Sequence, residues 1–287
     1  MSGSRHASGS GTGSVERLIG TGHMAGSDSH DDPTTGGAST TNVSGAAIAR
    51  IQDQLSALGK SARTKYSDLV VGRPGIGALL KYEFVVMLAQ PRAGALGLML
   101  RKTLYPWLLG SCGRNVVFGQ NVVLRHPHKI HIGRDVVIDD NCLLDAKGES
   151  NRGIRIGDGV FIGRNTILSC KNGDIEVGDA SNIGFNCELF SASRVTIGRS
   201  VLIAAYGYVI GGDHDFSDPA KAVLAQSRTS TGVVIGDGVW MGAGAKVLDG
   251  VEIGPLAVIG AAAVVRENVP ASAIAVGIPA RVVSTRG

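Results

Sequence analysis

Among the side chains able to move a proton near neutral pH, one stands apart. His214 lies in the string G-G-D-H-D-F, with Asp213 before it and Asp215 after it. Imidazole changes charge close to neutrality, which suits general-base work, and an acidic neighbour can fix its tautomer. Adjacent residues on an extended chain point apart, so neither aspartate is thereby its orienting partner. A histidine that merely caps a polar turn would read the same way, and spacing alone leaves both readings open. Three other histidines, His126, His128 and His131, sit in H-P-H-K-I-H. They invite a zinc reading, but Pro127 breaks a strand there and the string reads better as a corner turn. Cys112, Cys142, Cys170 and Cys187 form no C-x-x-C pair and read as buried thiols in a reducing compartment. No serine or cysteine sits in a nucleophile motif.

The elements that must present His214 are set by a six-residue rhythm that begins near Arg114. Aliphatic residues followed by Gly, Ala or Asp recur as Ile132-Gly133, Ile138-Asp139, Ile162-Gly163, Val177-Gly178, Ile183-Gly184, Ile197-Gly198 and Ile203-Ala204. Ile235, Met241, Val247, Ile253, Ile259 and Val265 then follow at unbroken six-residue steps. That period fits neither an α-helix nor a simple alternating strand. It fits a parallel β-helix whose coil of about 18 residues is made of three short strands stacked about 4.8 Å apart. The aliphatic side chain points inward, and the small or acidic residue behind it turns the corner. A narrow prism leaves little room for rings, in keeping with an aromatic content of 5%. Intervals between coil starts run 24 (132 to 156), 21, 20, 38 (197 to 235) and 18. The long interval marks an extruded loop, Gly211 to about Ser230, and such insertions in solenoids often carry the site. His214 lies in it.

Upstream of the rhythm the chain divides in two. Residues 1–43 are a Gly/Ser/Thr-rich stretch without apolar periodicity, expected to be disordered, and His6, His23 and His30 within it read as solvated tail residues. The stretch has no signal-peptide core. Residues 44–110 read as helical: a first helix from Ser44 to Gly59, then pieces over about Ala78 to Ala89 and Gly94 to Leu104, separated by Pro91. Residues 111–287 form the repeat domain. The helical pieces carry Lys81, Arg92, Arg101 and Lys102 among apolar residues, so residues 76–109 could lie on a membrane surface. The plainer reading is that they cap the open end of the repeat or meet another subunit, with the basic groups on a solvated face. No apolar run is long enough to span a bilayer, and the expected location is the cytoplasm, possible membrane contact being at the inner face. A net charge of +4 with scattered basic residues and few aromatics excludes a nucleic-acid footprint.

The residues from about Arg101 to Val283 resemble the hexapeptide-repeat acyltransferases. They are similar in particular to the galactoside and maltose O-acetyltransferases and the exopolysaccharide (colanic-acid-type) O-acetyltransferases. The resemblance implies an all-β, left-handed parallel β-helix, acetyl-CoA as acyl donor with no metal, and a homotrimer with its site between neighbouring subunits. It implies His214 as general base and Asn186, in N-C-E-L-F-S-A-S-R-V-T-I-G, as a substrate contact. It further implies cofactor contacts at Trp240 in I-G-D-G-V-W, at Gly242 and Ala243, and at Ala261 and Ala262 in V-I-G-A-A-A-V-V. Arg281 in G-I-P-A-R-V-V would meet a CoA phosphate, and Arg266, where the family often has Thr-Lys, would be a displaced basic contact. G-G-D-H also replaces the family's T-G-x-H. The expected activity is acetyl transfer to a hydroxyl of a sugar or polysaccharide precursor, directly in a ternary complex.

Three rivals share the repeat. The γ-class carbonic anhydrases use histidine ligands on adjacent coils, but His214 lies 83 residues after His131 (214 − 131) and no histidine follows it. An N-acetyltransferase or serine acetyltransferase would use the same donor, although serine acetyltransferases resemble a chain with a longer helical segment. A non-catalytic trimeric scaffold would need neither the extruded loop nor the closing G-I-P-A-R-V-V.

Overall fold

Each six-residue step becomes one short strand, and three steps close one coil. The computed structural model describes residue 59 and residues 61–287. The expected tail over 1–43 and the body of the helix expected from Ser44 lie outside them. From Ser111 onward the strands fall into three parallel stacks of seven, eight and seven strands, the three faces of a left-handed parallel β-helix, and a final antiparallel strand joins the second stack. The first face runs from Ser111–Cys112 to Glu252–Ile253, the second from Val117–Phe118 to Ala273–Val276, and the third from Val123–Arg125 to Val264–Val265. Strand Arg281–Thr285 pairs antiparallel with Ala273–Val276. It covers an edge that would otherwise present unpaired backbone groups.

Register makes the core. Along the second face Phe118, Ile138, Ile162, Ile183, Ile203, Met241 and Ile259 stack one over another, all fully buried. Leu124, Leu144, Leu168, Leu189, Val209, Val247 and Val265 do the same on the third face. Because each coil covers its neighbour's apolar rung, a single truncation opens a void between two others. Leu189→Ala is expected to cost about 2–5 kcal/mol. Chemical denaturation reads this directly, and an unchanged midpoint would contradict the inward stacking of Leu189 between Leu168 and Val209.

Tight corners require left-handed backbone, and the corner between the second and third faces meets that need with Asn in its first four coils and with Tyr206, Gly244 and Ala262 in the next three. Asn121, Asn141, Asn165 and Asn186 occupy successive coils at the corner between the second and third faces, with φ of 55°, 60°, 59° and 56°. Asn tolerates this region at low cost. Asn121 Nδ2 donates to Asn141 Oδ1 at 3.1 Å, and Asn165 Nδ2 to Asn186 Oδ1 at 3.0 Å.

The helical segment closes the open end of the prism. Helices Ile76–Ala89 and Gly94–Leu104 lie close to the expected positions. Tyr82 Oη donates to Leu124 O at 2.9 Å, and Tyr105 Oη to Val122 O at 3.1 Å. Tyr105 also meets the Phe118 ring edge-on with centroids 5.3 Å apart. Arg101 departs from the expectation of a solvated basic face. It is buried, and its guanidinium donates to Phe118 O, Ala89 O and Arg92 O at 3.0, 3.3 and 2.7 Å. The first coil has carbonyls with no preceding coil to pair with: Arg101 serves Phe118 O, and Tyr82 and Tyr105 serve Leu124 O and Val122 O. Lys81, Arg92 and Lys102 are exposed as expected. Among the described residues no helix is long and apolar enough to cross a membrane.

Candidate functional site

The long interval in the repeat is a β-ribbon. Strand Tyr208–Gly211 ends at the corner between the third and first faces. The other coils also loop there, the longest over residues 146–153, but here the chain runs much further outward and back, pairing Asp213 with Thr229 and His214 with Arg228 in antiparallel register. Gln226 organises the tip: its side-chain amide donates to Asp218 O and Lys221 O, both at 3.0 Å, and accepts from Asp218 N at 3.0 Å. At the root, Ser230 Oγ lies 2.7 Å from Ser193 Oγ and donates to Gly211 O at 2.9 Å. The chain rejoins the coil at Gly232, with φ of +99°, where a Cβ would lie 2.4 Å from Arg194 O. Only glycine fits that approach. Val233 then resumes the first face beside Val195.

His214 is half-buried at the base of this ribbon, and its Nδ1 is shielded from solvent with no hydrogen-bond partner among the described residues. Neither flanking carboxylate serves it. Asp213 accepts the backbone N–H of His214 at 2.7 Å. Asp215 accepts Ser217 N–H at 2.9 Å and the Ser227 hydroxyl at 3.2 Å, and these bonds hold its carboxyl below the usual range. A buried imidazole nitrogen left unpaired costs about 1–3 kcal/mol. His126 and His128 leave Nδ1 in the same state, so what sets His214 apart is its place at the base of the ribbon.

The remaining sequence-derived candidates lie along other edges. Asn186 occupies the corner between the second and third faces, at the far end of the third face from the ribbon. The separation is about five residues of strand, roughly 16 Å at strand rise. Its side-chain oxygen takes part in the asparagine ladder. Gly242 and Ala243 stack on that same corner two coils further on, and Ala261 and Ala262 one coil beyond them. A Cβ at Gly242 would lie 2.6 Å from Ala261 N, so this edge is narrow and flat. Gly242 and Ala262 spend their N–H groups on Ile259 O and Ala243 O. The N–H groups of Ala243 and Ala261 have no backbone acceptor among the described residues. Trp240 stands beside this edge on the second face, 50% exposed. Arg266 is exposed at the corner after the third face. Arg281 is exposed on the terminal strand and paired with Glu267 at 3.0 Å. One chain therefore gathers Trp240, Gly242, Ala243, Ala261 and Ala262, and keeps His214 apart from them.

The three clustered histidines do not converge. The H-P-H-K-I-H string is the corner it was expected to be, with a 3-10 turn over Pro127–Lys129. His126 Nε2 lies 3.0 Å from Asp68 O, and His131 Nδ1 lies 3.0 Å from Ser111 Oγ. Burial pushes the His128 imidazole down to about 4. Among the described residues no three His, Cys, Asp or Glu side chains gather as a metal-holding group. Cys142, Cys170 and Cys187 are buried free thiols, and burial pushes each of them up, away from the reactive thiolate. Sequence reasoning missed two groups of residues. Ser193 and Ser230 fix the ribbon root, and a basic cleft forms beneath the ribbon. The asparagine ladder was visible as Asn recurring every 20 to 24 residues, but the cleft had no local signal.

Comparison with known proteins agrees with the repeat fold. The family model described as bacterial transferase hexapeptide (six repeats) matches residues 232–267. A protein of Mycobacterium tuberculosis named as a probable acetyltransferase is 32% identical over 181 residues, covering 63% of this chain and 58% of its own. The chain thus spans less than two thirds of that relative. A protein of Escherichia coli K12 named as lipopolysaccharide biosynthesis O-acetyl transferase WbbJ is 33% identical over 50% of this chain and 74% of its own. Another from the same organism, named as colanic acid biosynthesis acetyltransferase WcaF, is 30% identical over 47% of this chain and 70% of its own.

Proposed function

The chain belongs to the hexapeptide-repeat acyltransferases, and on that premise we propose that it transfers an acetyl group from acetyl-CoA to a hydroxyl of a sugar or polysaccharide precursor. The observation that carries the reading is the isolation of His214. An imidazole with an unpartnered, shielded nitrogen stands where the repeat is broken to present it. In this mechanism the His214 imidazole takes the proton of the acceptor hydroxyl as its oxygen bonds to the thioester carbonyl carbon. The tetrahedral adduct then collapses, the carbon–sulfur bond breaks, and the imidazolium returns its proton to the CoA thiolate. No acyl-enzyme is formed.

The corner at Gly242, Ala243, Ala261 and Ala262 suits acetyl-CoA. It is a flat strip of small residues with two backbone N–H groups to offer, flanked by the exposed indole of Trp240. Arg281 suits a CoA phosphate because its present partner is an exposed carboxylate, and an exposed ion pair contributes only about 0–1 kcal/mol against such a competitor. Arg266 is a second basic group for the same end of the donor.

A general base must come within about 3 Å of the proton it removes, whereas one chain holds His214 and this corner a full face apart. The site is therefore read as composite, His214 from one copy meeting the donor edge of the next in a closed homotrimer. The ribbon tip supports this, since Phe216 is 73% exposed and Leu224 54%, and the donor edge exposes Phe185, Tyr206 and Trp240. In the same assembly Asn186, on that donor-edge corner, would approach the substrate of the neighbouring copy's His214. Apolar residues exposed on the capping helices, Leu80, Phe84 and Met87 among them, are consistent with the same chain resting on the inner membrane face.

Release of free CoA thiol tests the reaction. Thiol should appear from acetyl-CoA in proportion to added glycan acceptor, with an acetyl ester on the product. Acceptor-independent release only, across a broad panel of hydroxyl acceptors, would contradict transfer to sugars, and product carrying an amide would move the reading to N-acetylation.

A further inference from the structure

A cleft of ≈ 730 Å³ opens beneath the ribbon, between the segment around Lys65–Pro74 and the corner joining the third and first faces. Basic residues that look scattered in the sequence are gathered here. Lys65 and Arg73 come from the segment, and Lys129, Lys147 and Lys171 come from three successive coils, against three carboxylates. Lys129 is structural, donating to Gly148 O at 2.7 Å and Asn151 Oδ1 at 2.8 Å. Asp145 is committed to Arg125 at 3.6 Å and to the backbone N–H of Lys147 at 3.1 Å. Among the described residues, neither Arg73 nor Lys171 has a carboxylate within ion-pair distance. Burial pushes both the Lys147 and Lys171 ammonium groups toward the neutral form; Asp145 opposes this at Lys147, whereas Lys171 is pushed further by Arg228 and by Lys147. Like charges held together in a half-buried cleft are unfavourable until an anion joins them.

The position of the cleft connects it to His214. Phe190, part of its lining, pairs with Ile210, and Ser191 pairs with Gly211, the residue from which the ribbon departs. Lys171 N donates to Ser191 O at 2.7 Å, so Lys171 lies one coil below Ser191 and two below the ribbon. At about 4.8 Å per coil, Lys171 is about 10 Å and Lys147 about 14 Å below the ribbon root along one corner. Arg228, whose field reaches Lys171, is the ribbon residue paired with His214. A basic track thus runs from the cleft to the base. The two-coil rise from Lys171 to the ribbon root is longer than the reach from a single phosphate to a hydroxyl of its sugar, and a diphosphate together with the sugar ring it carries spans it.

We propose that the acceptor is an anionic sugar whose diphosphate is held in this cleft by Arg73, Lys147 and Lys171, directing the hydroxyl to be acylated toward His214. Guanidinium and ammonium groups converging on one site suit phosphate oxygens, the first by its bidentate fork and the second as a point charge. Phe190 offers an apolar wall to whatever the phosphate is esterified to, either a nucleoside or a prenyl chain. The assignment rests on the acyltransferase reading, because the cleft alone specifies an anion and only the track to His214 makes that anion the acceptor.

Calorimetric titration of the full-length protein with inorganic pyrophosphate, UDP and farnesyl diphosphate tests this, with acetyl-CoA titrated in parallel. All three diphosphates should bind saturably, and Lys171→Gln and Arg73→Gln should each weaken them about tenfold while leaving acetyl-CoA affinity unchanged. UDP binding more tightly than pyrophosphate, with the gain erased by Phe190→Ala, would support a nucleotide-linked acceptor. The same pattern for farnesyl diphosphate would support a lipid-linked one. Diphosphate affinities unmoved by both variants, or absent in folded protein that binds acetyl-CoA, would overturn the proposal and leave acyl transfer standing. A fall in acetyl-CoA affinity alone would reassign the cleft to the donor. Diphosphate binding without any acetyl-CoA binding would remove the acyl-transfer reading and with it the acceptor role.

Discussion

His214→Ala is expected to lower kcat by about 10³-fold, within the range that positioned proton transfer contributes, while the affinity for acetyl-CoA stays unchanged. The separation of the two effects follows from placement. The imidazole stands on a ribbon outside the prism, and the ribbon is held by backbone pairing with Arg228 and Thr229 and by Ser230 at its root. Removing the side chain deletes no hydrogen bond of Nδ1, because none is formed among the described residues. The thermal midpoint should therefore move little. Asp213→Asn and Asp215→Asn should have much smaller effects on kcat, because those carboxylates serve the backbone and the serines rather than the imidazole. A variant lacking His214 that retained normal turnover would end its role as base.

Ala261→Leu is expected to weaken acetyl-CoA binding about tenfold or more, the discrimination a site typically shows toward one or a few misplaced carbons. Ala261 is exposed on a corner where the coils approach so closely that Gly242 has no room for a Cβ. A leucine there leaves the stacked core intact and fills the strip on which the donor's narrow pantetheine arm would lie. It would also cover the N–H groups at Ala243 and Ala261 that inter-coil pairing leaves unused. Titration calorimetry measures the change, with kcat at saturating donor as the companion reading. Unchanged affinity with normal folding would move the donor to another edge of the prism.

The prism was legible because its core is written one residue at a time. Ile235 to Val265 at six-residue steps are the rungs themselves, and the interval from Ile197 to Ile235 is the ribbon. Where reading failed, the missing information was three-dimensional. Arg101 looks like a surface cation on an apolar helix, and nothing local reveals that the first coil's carbonyls wait for it. Asp213 and Asp215 look like partners for His214, yet short-range backbone bonds claim both of them. Asn186 carries two demands that sequence cannot separate: a left-handed corner favours Asn in each coil whether or not it meets a substrate. The cleft joins Arg73 to Lys147 and Lys171 across coils, so its charge cannot be seen in any window of the chain.

The central claim is that His214 and the donor edge meet across copies of this chain, and mixing two impaired variants tests it most directly. Assayed at acetyl-CoA far below the wild-type Kd, His214→Ala protein would be nearly inactive alone and Ala261→Leu protein would keep about a tenth or less of the wild-type rate. Coassembled at equal ratio, they should regain activity, because a site built from one chain's His214 and the next chain's Ala261 is intact in about one case in four by random assortment around a closed ring. Acetyl transfer approaching that fraction of the wild-type rate is the predicted result. A mixture no more active than its two components, in verified mixed assemblies, would contradict the account and return both elements to a site within a single chain.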